Sequence, residues 1–278
     1  MTASYETELR ARFGEVVELG GEVPDSPFLR QLLTRRTHRR FAERPVPPPL
    51  LKLLLAAAFS ASSKSDYQQA SVIAVGDRER RARIAALFPD MPWIGTAPVF
   101  LVFCGDARRL ERIGALRGRP VENGDLEGFF NAALDAGLAL QTCILAAEGL
   151  GLGCCPISVL RNRIAEVAPI LGLSDRVFPV AGLCLGYPAQ PGFVSMRLPL
   201  AATVHADRYD DAGLPAAIDE YDRRRDARHS LPPDRQRAPE RFGTAAFYGW
   251  SEDKARQACD PEGAAFAPWL RAHGFTFE

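Results

Sequence analysis

Two hydrophobic patterns share the chain, and they do not alternate in any regular way. The first is the short continuous apolar run stopped by glycine, seen in "ASVIAVGD", "APVFLVFCGD" and "VFPVAGLCLGYP". Runs of that length, rich in β-branched and aromatic residues, predict core strands. The second is helical periodicity. Ser26-Pro27 ahead of "FLRQLLTRR" reads as an N-cap followed by proline at the first helical position, with Phe28, Leu29, Leu32 and Leu33 on one face. Further helices are expected at "VPPPLLKLLLAAAFSAS", "RERRARIAALF", "RNRIAEVAPILGL" and "PEGAAFAPWLRAHGF". The longest, "DLEGFFNAALDAGLALQTCILAAEGLGLG", opens at Asp125 and is apolar around most of its surface, which predicts a central helix buried on several sides. The mixture points to an α+β fold with no internal repeat.

After residue 200 the pattern changes. Positions 219–241 are rich in Arg and Asp, contain Pro232-Pro233, and predict a surface helix running into a mobile loop. No run approaches 18 uncharged apolar residues, so no membrane span is expected. The first residues, "MTASYETELRARFGEVVEL", are charged throughout and do not read as a secretory signal. Charge is balanced, 34 Lys+Arg against 34 Asp+Glu, which disfavours a nucleic-acid partner. The six cysteines lie mostly in apolar runs, with no CxxC pair, and the four histidines are scattered. No metal site is expected, and reduced thiols in a cytoplasmic protein are the default. The vicinal pair Cys154-Cys155 would be strained as a disulfide and reads as structural.

Against that neutral background "RRTHRRF", residues 35–41, concentrates positive charge. One reading is a solvated helix end, where arginine complements the dipole. The other is an anion site. In an extended segment Arg35, Thr37 and Arg39 point one way, and two guanidiniums with a hydroxyl suit a phosphate monoester. No Walker loop, GxGxxG in strand-to-helix context, GxSxG, HExxH or Cys–His pair accompanies it. A phosphate-bearing cofactor that carries its own chemistry fits that absence.

Several segments together resemble the nitroreductase family, in particular its larger NADPH-preferring branch of nitroreductases and flavin reductases. They are "RRTHRRF", "SASSKSDYQQASVIAVGD", "APVFLVFCGD", "LAAEGLGLGCCPISVLRN", "VFPVAGLCLGYP" and "MRLP", with "YGWSEDKARQA" and "FAPWLRAHGF" near the end. The resemblance implies a nitroreductase-like fold: a central, mostly antiparallel sheet flanked by helices, a long central helix and an interlocked homodimer. It implies FMN, whose phosphate would be held by Arg35, Thr37, Arg39 and Arg197. The family's Lys-x-Arg before Leu-Pro reads Ser195-Met196-Arg197 here, so the lysine is missing. Ser62, Ser63 and Gln68 would run beside the ribityl chain and ring, although serine is also ordinary loop composition. Lys64 replaces a small polar residue; its charge either stabilises reduced flavin or faces solvent. Thr96 stands where the family has a glutamine. Pro156, Ile157 and Ser158 would pack near flavin N5. Proline there donates no backbone hydrogen bond, and Ile157 also suits a plain core strand.

The implied reaction is ping-pong hydride transfer from NADPH, with NADH possible, through flavin N5 to nitroaromatics, quinones or free flavin. No side chain is assigned as catalytic. Arg224, Arg225 and Arg228, among the arginines that include Arg223, Arg235 and Arg237, are the candidates for the donor's 2'-phosphate. The FMN site would lie at the subunit interface of a homodimer. Residues 1–25 are expected to form an N-terminal extension, 26–205 the FMN-binding core and 206–278 a C-terminal arm. The competing functions are another reaction on the same fold (dehalogenation, ene reduction or flavin fragmentation) and a non-enzymatic anion binder.

Overall fold

A computed structural model describes residues 4–122 and 126–277. Asp125, where the expected central helix opens, and residues 1–3 of the expected extension lie outside the described residues. The chain forms two compact units that interleave in sequence. One comprises the chain before Arg36 together with Phe193–Glu262; the other comprises Arg36–Gly192 together with the chain from Gly263 onward.

The larger unit is built on an antiparallel sheet ordered β1-β2-β4-β3, with β1 Ala70–Ala74, β2 Val99–Asp106, β3 Gly153–Ile157 and β4 Val177–Gly186. Three of these are the expected apolar runs; β3 is the vicinal-cysteine segment. Both faces of the sheet are covered, which is why the strands read as continuous rather than alternating apolar runs. Leu101, Phe103, Cys154 and Leu183 join one core with Leu54, Ala136 and Ala139. Phe100, Val102, Cys104, Cys155 and Cys184 join the other with Ile84, Leu160 and Val167. Cys154 and Cys155 therefore point to opposite faces and pack as separate thiols, and like the other four they form no disulfide.

The central helix, Leu126–Gly149, lays Ala132, Ala136, Ala139, Cys143 and Ala147 on the sheet. Small residues on this face let the helix sit close to the strands. By length and composition it could cross a membrane, but here that face is a core face, and Asn131 and Asp135 are buried on it. The last stretch of the unit adds Phe266 and Phe275 to Phe129 and Phe178 in a small aromatic core.

In the other unit, Ser26 caps Pro27–Thr34 by accepting from the Leu29 amide, as expected. The eight-residue helix Glu6–Phe13 precedes it. The arginine-rich helix spans Leu214–His229, and its buried Tyr221 meets Trp250 edge-on at 5.4 Å. Asp222 accepts from the Ser251 amide at 3.0 Å and starts the helix Trp250–Ala258. A Cβ on Gly249 would fall 2.4 Å from that carboxylate, so glycine is required there. The segment beyond His229, read as a mobile loop, is cross-bonded. The Gln236 amide exchanges two hydrogen bonds with Ala245, and Arg256 donates to the carbonyls of Arg237 and Gly243.

Candidate flavin site

Residues 36–42 are extended, as the alternation of "RRTHRRF" requires. Thr37 pairs in parallel with Cys154 of β3, the His38 amide donates to the Cys154 carbonyl at 2.9 Å, and Phe41 bridges Pro188. The two faces of this segment have different surroundings. Arg36 and His38 lie over Gly192, where a Cβ would meet them at 3.1 and 3.3 Å, and Arg36 donates to the Gly192 carbonyl. On the opposite face Arg39 is exposed, with its guanidinium 5.4 Å from the Trp93 ring centroid. It also reaches the Cys155 thiol: burial pushes that thiol up, and Arg39 opposes the push by charge and hydrogen bond. Thr37 and Arg39 thus share a sheet edge with Pro156, Ile157 and Ser158. Pro156 and Ser158 are exposed, whereas the Ile157 side chain is buried in the core shared with Phe100. Only the backbone of Ile157 is available to a ligand.

Ser62, Ser63 and Gln68 lie at the opposite edge, ahead of β1. They border a cavity of about 640 Å³ with Phe59, Arg109, Asp135 and Ala139. Following the register from Cys154 through Leu185 and Val99, then down β2 to Gly105 opposite Ala70, the two regions occupy diagonal corners of the sheet. At the usual strand rise and spacing they stand roughly 25 Å apart. The two segments expected to meet FMN are thus far apart within one chain.

The serine loop is strained and tightly held. Ser65, Asp66 and Gln68 all adopt left-handed φ, at 49°, 56° and 53°. For non-glycine residues this costs on the order of 1 kcal/mol each. Asp135, 3% exposed, holds the loop from the central helix. It accepts from the Ser63 hydroxyl at 2.7 Å and from the amides of Lys64 and Gln69 at 2.9 Å each. Ser63 in turn accepts from the Gln68 amide at 2.7 Å. Its single proton is committed to Asp135, so toward a ligand Ser63 can only accept, and Ser62 and Gln68 are the available donors. Arg109 fastens the far end, donating to the carbonyls of Gln68 and Ala70 and to Ser71 Oγ. Sequence reasoning missed both anchors. The signal for Asp135 was a lone carboxylate on the helix face that carries Ala132, Ala136 and Ala139.

In the other unit the expected arginines separate by role. Arg35 caps the helix Pro27–Thr34 and turns the chain extended, at ψ 146°. Arg197 is exposed and borders a cavity of about 570 Å³ with Phe13, Ser195, Tyr221, Arg225 and Trp250. Of the three donor-phosphate candidates, Arg225 alone lines this cavity. Arg224 pairs with Glu15, and Arg228 donates to the carbonyls of Ala11 and Arg10. Thr96, in place of the family glutamine, is exposed and bonds back to Pro92. Among the described residues no cluster of His, Cys, Asp or Glu could hold a metal.

These residues fit FMN in chemistry: an arginine–threonine edge for a phosphate, and a cavity with an apolar wall and a hydroxyl–amide rim for a polar-edged aromatic ring. The nitroreductase family matches residues 32–187, and the family's C-terminal domain matches 195–278. An FMN reductase [NAD(P)H] from Bacillus subtilis is 38% identical over 199 residues, covering 70% of this chain and 79% of that protein. An NADPH-flavin oxidoreductase from Vibrio harveyi is 30% identical over 250 residues, covering 88% and 96%. The solved structure of a Vibrio harveyi NADPH:FMN oxidoreductase complexed with NAD+ superposes with a TM-score of 0.79 at 29% identity, covering 91% of this chain and all of that one.

Proposed function

The chain belongs to the nitroreductase family, and on that premise we propose that it is an NADPH-dependent FMN oxidoreductase of the nitroreductase and flavin-reductase type. FMN, when bound, supplies hydride acceptance and donation at N5, in two half-reactions of a ping-pong cycle. The protein's part is to bind, orient and exclude. Thr37 and Arg39, with Arg35 and Arg197, hold the phosphate; Pro156, Ile157 and Ser158 border the ring near N5; Ser62 and Gln68 meet its polar edge. Arg225 receives the 2'-phosphate of NADPH. In this reading 26–205 is the FMN-binding core and 206–278 the arm that receives the donor.

The observation that carries this reading is the pairing of Thr37 with Cys154. It sets two segments far apart in sequence, both expected at one cofactor, side by side. The diagonal placement of the serine loop supports a homodimer in which each FMN takes its phosphate contacts from one chain and its serine loop from the partner. The central helix supports it too: Leu126, Phe130, Leu134 and Leu138 form an exposed stripe at 63, 59, 45 and 36%. A second copy is the natural cover for such a stripe. Six cysteines without a disulfide, five of them buried, suit the cytoplasm.

The test is spectroscopic and kinetic. Purified protein is expected to be yellow, to be stabilised thermally by FMN, and to bleach with NADPH faster than with NADH. Nitroaromatic, quinone and free-flavin acceptors should then reoxidise it, with parallel double-reciprocal lines. Colourless protein that FMN does not stabilise overturns the proposal. Bleaching without turnover on any of these acceptors moves the chain to another reaction on the same fold.

A further inference from the structure

We propose that Arg12, on the N-terminal extension, is a positioning residue for the flavin phosphate, setting the backbones of Arg35 and Arg197 in register. Its guanidinium also lies against the backbone of Ser195, the residue that stands where the family has a lysine. The inference rests on the reading that Arg35 and Arg197 hold a phosphate.

Arg12 is 6% exposed. Its Nε donates to the Leu33 carbonyl at 3.0 Å, Nη1 to the Ser195 carbonyl at 2.7 Å, and Nη2 to the Arg35 carbonyl. A return bond runs from the Arg197 amide to the Arg12 carbonyl at 2.8 Å. One guanidinium therefore grips the end of the helix Pro27–Thr34, the residue that begins the phosphate segment, and the residue two before Arg197. The carbonyls at a helix C-terminus are orphan acceptors and favour a cation. A planar fork can serve three such acceptors with fixed geometry; an ammonium cannot. Burying a guanidinium is costly unless it is fully bonded, so this arrangement exceeds what capping a two-turn helix requires.

The helix that carries Arg12 is itself fixed. Arg228 donates to the carbonyls of Ala11 and Arg10, and Arg224 pairs with Glu15. Gly14 ends the helix at φ 73°, and a Cβ there would fall 2.2 Å from Met196 Cε. The left-handed φ favours glycine here, and any larger residue would also have to displace the Met196 thioether. Two of the arginines expected to meet the donor thus act on the extension, and through it on the phosphate arginines.

The experiment compares FMN with riboflavin, which lacks the phosphate, by titration into the flavin-stripped full chain, its R12A, R12K and R12Q variants, and R39A. R12A should weaken FMN at least about tenfold while riboflavin binding stays within about twofold. R12K should recover only part of the loss. Equal weakening of both ligands overturns the inference, as does an unchanged FMN affinity in R12A while R39A still loses FMN selectively. If R39A also leaves FMN unchanged, the phosphate-site reading falls, and the inference falls with it. Should R12A not fold, R12K and R12Q decide: parent-like FMN binding, or equal loss of both ligands, overturns it.

Discussion

Asp135 and Arg12 solve the same problem with opposite charges. Each is a single buried ionic side chain on a helix, and each secures a segment expected to face the flavin. Asp135 meets two amides and a hydroxyl, all donors, because the serine loop turns its N–H groups toward the central helix. Arg12 meets three carbonyls, because a helix end and an extended strand present acceptors there. The backbone groups left over by local structure decide the sign of the charge that can be buried against them. The two cases differ in what is being held. Asp135 restrains three left-handed residues that would otherwise relax, whereas Arg12 joins two segments that carry no such strain.

That difference predicts a ranking. Asp135→Ala strands two amides and a hydroxyl and releases the loop, so it should cost about 3 kcal/mol in urea unfolding and also weaken FMN binding. A loss under about 1 kcal/mol would show that the loop holds itself. Arg39→Ala removes an exposed charge-assisted contact, so FMN affinity should fall about 10- to 100-fold with the unfolding midpoint of the flavin-free protein unchanged. A shift in that midpoint would make Arg39 a structural residue like Arg12. Arg224→Ala breaks the partly buried pair with Glu15, whose side chains are 18 and 31% exposed. It should lower stability by about 1 kcal/mol and leave the NADPH KM alone. Arg225→Ala should do the reverse, raising the KM for NADPH several-fold but not for NADH.

The cysteines supply the smallest effect and the contrast case. Burial disfavours a thiolate, pushing Cys104 and Cys184 up to about 12 and Cys143 up to about 11. At pH 8 they stay protonated, well below those values. A thiol reagent should therefore titrate Cys259 alone in the native protein and all six cysteines after denaturation.

The alternating register of "RRTHRRF" was legible because a period of two is a local property, and the faces holding Arg36 with His38 and Thr37 with Arg39 follow from it. The strand runs were legible for a similar reason: burial on both faces leaves no polar alternation. The arginines of Leu214–His229 were not. Helical spacing places Arg224 and Arg228 on one face and turns Arg225 away, but nothing local says that the first face meets Glu15 and Ala11. Arg12 was hidden by its surroundings. In a segment that is charged throughout, the buried spacing of Tyr5, Leu9 and Arg12 is the only mark that one charge turns inward. The positions of Arg109 and Asp135 depend on register between distant elements, which composition does not carry.

The hydrogen bond from Arg12 to Ser195 closes 183 residues of chain. At ordinary synthesis rates the acceptor leaves the ribosome roughly 10 to 40 s after the donor. During that interval the eight-residue helix Glu6–Phe13, too short to persist alone, can rest Tyr5 on Pro24, Ser26 and Arg30, but Arg12 still lacks its Ser195 acceptor. The clasp through Arg12 is therefore among the last contacts of its unit to close.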